Sequence, residues 1–337
     1  MNAPRTRVQR RPVHGVLLLD KPLDLSSNNA LQKCKWLLRA EKAGHTGTLD
    51  PLATGVLPLC FGAATKFSQL QLDADKTYEA TLRLGVKTST GDAEGEIIEE
   101  REVPELTPAR LAEIAKQFTG AIRQVPPMHS ALKKDGKALY EYARAGEEVE
   151  RAPRDVVVRQ LNLAGGAAAN EIALVAMVSK GTYIRTLAED IGEALGCGAH
   201  LGSLRRIATG HFDIAQCMTL QALEAMNEEG RLACLKPVDS LLPEHTRVTL
   251  HADDAARFLS GLRRRGDWPA NDRVAVYGPY PAGALAPSPG GGRSDVQPAR
   301  GRGDLCLLGT AHILGGELIP GRLLSPPEIS QIFESNL

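Results

Sequence analysis

GHTGTLDPLATGVLP spans residues 44–58 and carries more information than any other stretch of the 337-residue chain. Its three glycines and two prolines rule out a regular helix. Its apolar side chains, Leu49, Leu52, Val56 and Leu57, favour burial, which rules out a surface linker. The sequence therefore predicts a buried irregular loop, in which threonine hydroxyls satisfy part of the backbone hydrogen bonding.

Asp50 is the single carboxylate of this loop, and the loop contains no lysine or arginine. One interpretation is that Asp50 caps the short turn at residues 51–54, since aspartate is a favoured cap and proline is favoured directly after it. The other is that the carboxylate serves chemistry and is paired with a cation from elsewhere in the chain. Composition alone leaves both interpretations open, and they are compatible.

The longer segment GHTGTLDPLATGVLPLCFGAATKFSQ, residues 44–69, resembles the catalytic-loop signature of the bacterial tRNA pseudouridine-55 synthases, the TruB family. The resemblance implies that Asp50 is the nucleophile. It also implies that His45, five residues earlier, takes the place of the flipped nucleotide in the RNA loop. The alternative for His45 is the commoner one, a hydrogen-bonded structural histidine.

Two further motifs resemble the same family. KTYEA, residues 76–80, lies in an alternating strand-like run, and the resemblance implies that Tyr78 stacks on the target base; the alternative is a core aromatic. GTYIRTLAEDIG, residues 181–192, is expected to pass from a strand into a helix, with Tyr183 beside the base. Leu204, in the run LGSLRR, would then form an apolar wall of the uridine pocket.

Arg185 lies within the second motif and is predicted to be the counter-ion of Asp50. Together with Asp50 and Tyr78 it is a predicted catalytic residue. A guanidinium suits this pairing better than an ammonium because it meets a carboxylate with two parallel hydrogen bonds. The alternative is a surface arginine near a helix start, which is an unfavourable end for a cation.

The resemblance implies an α+β fold. Residues 13–245 are expected to form a catalytic domain with a mixed, largely antiparallel sheet flanked by helices and loops. The sequence pattern agrees with this, since it predicts a buried strand at 15–19, a helix capped by Ser26 or Ser27 that runs to about Ala40, a helix capped by Thr107, and a hairpin built from 154–163 and 171–178.

Residues 126–152 combine two prolines, a basic turn and a short amphipathic helix, and they resemble the family's mobile thumb; the alternative is an ordinary surface hairpin and helix. Residues 246–337 contain several short strands and resemble the small PUA-like β-barrel domain of bacterial members. Between those strands, residues 279–303 are rich in glycine, proline and alanine. That composition predicts a disordered loop, which the family pattern does not include.

The chain has no net charge, but its basic residues are clustered. Residues 1–12 form a basic arm that is predicted to be disordered. Further clusters lie at 33–42, 133–137 and 205–206, and such a cluster is usually only a solvated surface. Their position beside the motifs instead predicts a phosphate-binding surface. The predicted RNA-backbone contacts are Lys21, Lys133, Lys134 and Arg205.

Six cysteines, without a CxxC pair or a close Cys/His cluster, argue against a disulfide scaffold and a structural zinc site, and they fit a reducing cytoplasm. No apolar run is long enough to span a membrane, and the N-terminus lacks an apolar signal core. We therefore expect a cytoplasmic protein without a bound metal and without a membrane partner.

The resemblance implies that the protein isomerises uridine-55 in the T-loop of tRNA to pseudouridine, on a flipped-out base. The reaction involves no redox change and loses no group, so no cofactor is expected. The expected partner is the T-arm stem-loop of tRNA, bound by a monomer.

Three alternatives remain open from the residues. One is a non-catalytic RNA-binding or tRNA-folding protein that uses the same pocket. A second is a glycoside-type hydrolase, which needs another carboxylate near Asp50 that no motif supplies. A third is a guide-RNA-dependent enzyme of the same superfamily. The thumb-like segment at residues 126–152 argues against it and favours an enzyme without a guide RNA.

Overall fold

The computed structural model describes residues 9–279 and 305–335. Its strands are β1 Gly15–Lys21, β2 Ala43–His45, β3 Ala53–Phe61, β4 Lys76–Leu84, β5 Val86–Thr88, β6 Ile97–Glu100, β7 Gly120–Gln124, β8 Lys133–Lys134, β9 Lys137–Ala138, β10 Arg154–Gly165, β11 Glu171–Val178, β12 Ala199–Thr209, β13 Phe212–Asp213, β14 Met218–Thr219, β15 Thr246–Thr249, β16 Arg264–Arg265, β17 Asn271–Pro279, β18 Leu305–Leu314 and β19 Glu317–Leu323. Its α-helices are α1 Ser27–Leu37, α2 Ser68–Leu72, α3 Pro108–Gln117, α4 Leu139–Arg144, α5 Ile184–Leu195, α6 Leu220–Ala225, α7 Glu228–Ala233, α8 Ala252–Leu259 and α9 Pro326–Ser335. The expected α+β class is confirmed.

One large sheet carries the first part of the chain, in the order β14-β1-β3-β12-β4-β11-β10-β7, with β2 beside β3 and β13 beside β12. Its strand pairs are antiparallel except for β1 with β14 and β3 with β12, which are parallel. Along β11 every second residue is buried, which is the period of a strand with one face on the core. The expected mixed, largely antiparallel sheet is confirmed.

The prediction of an irregular loop is wrong for residues 53–58, which belong to β3. β3 pairs in parallel with β12, and Gly55 lies opposite Arg206. Gly55 has a φ of +102°, and a Cβ at this position would lie 2.1 Å from the carbonyl oxygen of Arg206. Only glycine permits so close an approach of the two backbones. The loop that carries Asp50 is therefore anchored beside β12.

Helices cover this sheet in two groups. α1 begins after its N-cap Ser26, whose side chain accepts a hydrogen bond from Asn29 N, and it packs its apolar stripe against β1 and β3. α5 packs with α3 over β4, β10 and β11 in a second apolar cluster. Tyr78 and Leu204 contact both clusters, so they lie where the two groups meet.

Two expectations near the N-terminus are wrong in part. α1 ends at Leu37 rather than near Ala40, and Arg39 follows with a φ of +54°, which no helix continues through. Residues 9–12 are not a disordered arm, because the backbone of Arg11 pairs with that of Ala40, and Arg11 N lies 2.8 Å from Arg39 O. The rest of the predicted arm, residues 1–8, lies outside the described residues.

The predicted passage of a strand through residues 181–185 is also wrong. β11 ends at Val178, and a turn follows in which Thr182 Oγ1 donates to Ser179 O at 2.9 Å and Gly181 takes a φ of +80°. Because α5 begins directly after this turn, Arg185 lies in the first turn of a helix.

The C-terminal strands form a second sheet in the order β15-β17-β18-β19-β16, against which α8 and α9 pack. Within the described ranges this sheet is a PUA-like half-barrel rather than a closed barrel. Its core is continuous with the large sheet, since Val16 and Leu18 share a cluster with Phe258 and Val274. The domain boundary at residue 245 stays a prediction. The predicted loop at residues 279–303 lies outside the described residues except for Pro279, the last residue of β17.

Candidate active site

A cavity of about 430 Å³ opens between the loop that carries Asp50, β4, β12 and the start of α5. Asp50, Tyr78, Tyr183, Arg185 and Leu204 all line it. These residues come from four separated parts of the chain, and the sequence motifs predicted that they belong to one site. The fold therefore brings together the three predicted catalytic residues and three of the four predicted substrate contacts, with Tyr78 belonging to both groups.

Asp50 and Arg185 form an ion pair across this cavity, with Asp50 Oδ2 2.9 Å from Arg185 Nη2. The Asp50 side chain is 44 % exposed, whereas that of Arg185 is 6 % exposed. The carboxylate thus faces the cavity and the guanidinium lies beneath it, where its positive charge attracts the carboxylate. The contact of Asp50 with the turn at residues 51–54 is made by its backbone: the carbonyl oxygen of Asp50 accepts a hydrogen bond from Ala53 N at 3.0 Å.

The Arg185 guanidinium is shared and does not serve Asp50 alone. Nη1 donates to Thr90 O at 3.2 Å, and Nη2 donates to His129 O at 2.7 Å. A second carboxylate, Asp92, lies 3.5 Å from Nη1, and its side chain is 6 % exposed. The two-pronged pairing with Asp50 that the sequence suggested is therefore replaced by a bridge between Asp50 and Asp92.

The sequence analysis did not identify Asp92, because this residue lies in a polar turn without a motif. Burial, together with the neighbouring Asp92 and Asp50 carboxylates, raises the pKa of Glu94 in the same turn. Two carboxylates beneath a helix start also explain how Arg185 is tolerated there, since they offset its unfavourable position at the positive end of α5. The alternative of a surface arginine is excluded, because Arg185 is buried.

Two aromatic rings and one leucine form the apolar part of the cavity. Tyr78 on β4 and Leu204 on β12 are both half-buried. Tyr183 lies directly before α5, and burial raises the pKa of its phenol, so that it is neutral at physiological pH. Neutral rings beside an aliphatic wall are suited to hold a planar base by stacking.

Lys21 is not an RNA-backbone contact, and that prediction is wrong. Its side chain is fully buried, and its Nζ donates to Leu25 O at 2.6 Å, to Pro22 O at 2.8 Å and to Pro51 O at 3.4 Å. Burial lowers the pKa of Lys21 to about 8, against the opposing effect of Asp50. Lys21 therefore supports the backbone that follows Asp50.

The other three predicted RNA-backbone contacts differ in their solvent exposure and in their hydrogen-bond or ion-pair partners. Arg205 is paired with Asp20, with Nη2 2.7 Å from Oδ2, and its side chain is 39 % exposed. Lys133 is exposed, whereas Lys134 is half-buried and donates from Nζ to Glu150 O at 3.0 Å. Both lysines belong to the β8–β9 hairpin, which directly follows the cavity-lining residues 130–132.

His45 ends β2 and does not line the cavity. Its Nδ1 is buried without a hydrogen-bond partner among the residues that the structure describes. Burial lowers the pKa of His45, and the nearby Arg206 guanidinium lowers it further. The imidazole is therefore neutral near pH 7, and its predicted role in the RNA loop stays a prediction.

Arg206 is a residue that the sequence reading named only as part of a basic pair. Its side chain is among the largest that are fully buried, and it lines the cavity. Nε donates to Val56 O at 2.7 Å and Nη2 donates to Gly47 O at 3.2 Å, so one guanidinium binds both sides of the Asp50 loop. The burial of one arginine could have been predicted from strand alternation. Successive side chains of a strand point to opposite faces of the sheet, so only one of two consecutive arginines faces solvent.

Lys76 is a second buried cation of this site. Its Nζ donates to Ala74 O at 2.5 Å and to Leu72 O at 2.7 Å, at the end of α2. Burial lowers the pKa of Lys76 to about 8, with a further contribution from Arg206.

Among the described residues, no group of three or more His, Cys, Asp or Glu side chains has the arrangement of a metal site. In that same part of the chain, no helix is both long and apolar enough to cross a membrane.

Comparisons with known proteins agree with this geometry. The family model described as "TruB family pseudouridylate synthase (N terminal domain)" matches residues 35–184, and the "tRNA pseudouridylate synthase B C-terminal domain" matches residues 185–243. The tRNA pseudouridine synthase B of Verminephrobacter eiseniae is 61 % identical over 99 % of this chain and 95 % of that protein. That of Ralstonia nicotianae is 55 % identical over 94 % of this chain and 95 % of that protein.

Solved structures share the fold. The "Crystal Structure of a Cbf5-Nop10-Gar1 Complex" matches with a TM-score of 0.60 and 26 % identity, over 82 % of this chain and 81 % of that chain. The "Structure of H/ACA RNP bound to a substrate RNA containing 2'-deoxyuridine" matches with a TM-score of 0.64 and 21 % identity, over 95 % of this chain and 88 % of that chain. Since the curated relatives are more than half identical over nearly their whole length, the chain belongs to the TruB family of pseudouridine synthases, which are isomerases.

Proposed function

We propose that this enzyme isomerises uridine-55 in the T-loop of tRNA to pseudouridine and that Asp50 is its nucleophile. The observation that carries the proposal is the ion pair of 2.9 Å between Asp50 and the buried Arg185 at the cavity. Full-length relatives that are named tRNA pseudouridine synthase B support tRNA as the substrate.

The chemistry suits a single ionised carboxylate. Pseudouridine formation breaks the bond between the base nitrogen and the sugar, turns the base and joins the sugar to a base carbon; the hydrogen on that carbon is replaced by one on the freed nitrogen. Product and substrate have the same atoms and the same oxidation level. Asp50 would form a covalent intermediate that divides this change into easier steps. The Arg185 guanidinium would hold the carboxylate in position for the attack.

The substrate uridine must leave the RNA stack before it can reach Asp50, which costs a few kcal/mol. Tyr78 and Tyr183 would recover part of this cost by stacking on the base, and Leu204 would close the apolar side of the cavity. Lys133, Lys134 and the half-exposed Arg205 would contact phosphates around the target nucleotide.

The proposed partner is the T-arm stem-loop, bound by a single copy of the chain in the cytoplasm and without a guide RNA. The support is that the hairpin–helix segment at residues 126–152 meets the cavity through residues 130–132. A substrate loop would therefore contact protein, rather than a guide strand, on that side. Purified protein and unmodified tRNA alone should then suffice for the reaction.

The test is Asp50→Asn, which keeps the size of the side chain and removes the charge. The variant should bind unmodified tRNA like the unchanged protein and form no pseudouridine at position 55. Mapping of pseudouridine after single-turnover incubation gives the readout, and a tRNA-binding titration is the control. Substantial pseudouridine formation by Asp50→Asn would end the nucleophile assignment. If the unchanged protein refolds tRNA but modifies no uridine, the tRNA-folding alternative is correct instead.

A further inference from the structure

An exposed tryptophan lies on α1, outside the catalytic cavity. The Trp36 side chain is 59 % exposed, although tryptophan is on average a well-buried residue. Asn29, Gln32 and Lys33, which precede it by three to seven residues, are exposed on the same helix face. The chain has only two tryptophans, and the other, Trp268, packs half-buried against the core that includes the C-terminal sheet.

Basic residues lie close to Trp36 in the sequence, on α1 and in the turn that follows it. We define the α1 surface as Lys33, Lys35, Trp36, Arg39 and Lys42. Arg39 shares Glu228 with Arg11, at distances of 3.4 Å and 2.7 Å. Residues 33–42 also contain one exposed carboxylate, Glu41, against four basic side chains. Within the two described ranges the three lysines form no ion pair, so the α1 surface keeps a net positive charge after Arg39 has paired with Glu228. An aromatic ring among unpaired cations complements a polyanion with exposed bases, as in single-stranded RNA.

The α1 surface is rigidly connected to the catalytic loop. At the start of α1, Ser27 Oγ accepts a hydrogen bond from Leu49 N at 2.7 Å and lies 3.0 Å from Leu49 O, to which it donates. Leu49 immediately precedes Asp50. Trp36 follows the N-cap by ten residues, which places it ~15 Å along the helix axis. RNA held by Trp36 would therefore be fixed relative to Asp50 but would be distinct from the nucleotide in the cavity.

We propose that the α1 surface binds an unpaired nucleotide of tRNA outside the T-arm hairpin. Trp36 stacks on the base, and Lys33, Lys35 and Lys42 contact the adjoining phosphates. An unpaired nucleotide is required because bases inside an RNA duplex are covered on both faces. The proposal rests on the proposed function only in taking tRNA as the partner; it assigns a contact that lies apart from the catalytic cavity.

The first experiment reads the indole directly. In a Trp268→Phe background Trp36 is the single tryptophan, so its fluorescence reports on the α1 surface alone. Full-length unmodified tRNA should quench this emission and shield it from acrylamide, whereas an isolated T-arm hairpin should do neither at saturation. The proposal is overturned if full-length tRNA changes neither property, or if Trp36 is already shielded from acrylamide in the free protein.

The second experiment compares affinities. Trp36→Ala should weaken binding of full-length tRNA, relative to binding of the hairpin, by about fivefold or more, because a stacked base is lost. Trp36→Phe should restore most of this ratio, since it keeps an aromatic ring. Leu262→Ala removes another exposed apolar side chain, 54 % exposed in the C-terminal part, and is the matched control. An equal loss for both RNAs, or a loss of the same size in the control, contradicts the proposal.

These measurements distinguish a failure of the α1 proposal from a failure of the proposed function. Pseudouridine formation in the hairpin tests the cavity and Asp50 and does not require Trp36. If the hairpin is modified but the affinity ratio does not change, only the α1 proposal is wrong. If the ratio changes but neither RNA is modified, only the proposed reaction is wrong.

Discussion

The stretch at residues 44–58, which carries Asp50, and the segment at residues 126–152 both reach the cavity, but they are held in opposite ways. In the first stretch, Leu49, Val56 and Leu57 are buried, and buried side chains of the surrounding protein bind its backbone. In the segment most side chains are at least partly exposed, and the buried ones are few. Its backbone meets the rest of the protein at single points, such as His129 O on Arg185.

This difference separates two tasks. A nucleophile must keep its position within a fraction of an ångström, and a loop with a buried backbone can provide that. A surface that receives RNA gains from exposed cations on a lightly attached element, because phosphates bind to exposed charge. We therefore expect substitutions around the loop to change the rate of the chemical step, and substitutions in the segment to change tRNA affinity.

Among the residues that hold Asp50 and its loop, the largest effect should come from Arg185→Lys. An ammonium cannot maintain the bridge between Asp50 and Asp92 together with the bonds to Thr90 O and His129 O. We expect single-turnover pseudouridine formation to slow roughly a hundredfold, which corresponds to about 3 kcal/mol of lost charge-assisted bonding. tRNA affinity, measured by titration, should change far less. Near-normal turnover would show that Asp50 does not depend on this guanidinium.

A smaller effect on the same loop is expected for Arg206→Lys. Lysine keeps the buried charge but cannot donate to Val56 O and Gly47 O at once, so the loop loses one of its two attachments. Loss of about one hydrogen bond in positioning should slow single turnover roughly tenfold. Arg205→Lys is the matched control, since Arg205 is the neighbouring arginine and pairs with Asp20 instead. If both variants slow equally, the loop attachment has no special part in the rate.

Much of this site could be predicted from the sequence, because the loop and the helix start carry long motifs. The partners of Arg185 and Arg206 could not. Asp92 comes from a turn that is distant in the sequence, and Arg206 binds backbone carbonyls, which any residue can present. Such contacts depend on how strands pair in three dimensions and leave no residue pattern.

Burial explains the wrong predictions. The sequence predicts Lys21 as an RNA-backbone contact, which requires an exposed side chain, and lysine is in fact seldom fully buried. Here three backbone carbonyls satisfy its ammonium, a possibility that composition does not reveal. Residues 9–12 are polar and were read as disordered, but they gain order by pairing with Ala40, a contact that depends on where α1 ends.

In the segment, replacement of Lys133 and Lys134 by glutamine should reduce tRNA affinity without changing the rate at saturation. Each removed phosphate contact should lower the slope of log Kd against log salt by about one. Titrations at several salt concentrations give this slope. Lys116→Gln, at an exposed position of α3, is the control. A lower single-turnover rate at saturating tRNA would show that the segment also positions the reacting groups.

The smallest effect concerns the stability of the loop in acid. Burial and Arg206 lower the pKa of His45 from its ordinary value of 6.5, so the folded protein binds fewer protons there than the unfolded chain does. The stabilisation from neutral His45 is complete above pH 6.5 and is lost as the pH falls through the lowered pKa. His45→Gln cannot take up this proton, so its Tm should fall less steeply than that of the unchanged protein below pH 6.5. Thermal unfolding between pH 7 and pH 5 would measure this, with the exposed His251→Gln as the control. Parallel curves for the unchanged protein and His45→Gln would mean that protonation of His45 does not weaken the loop.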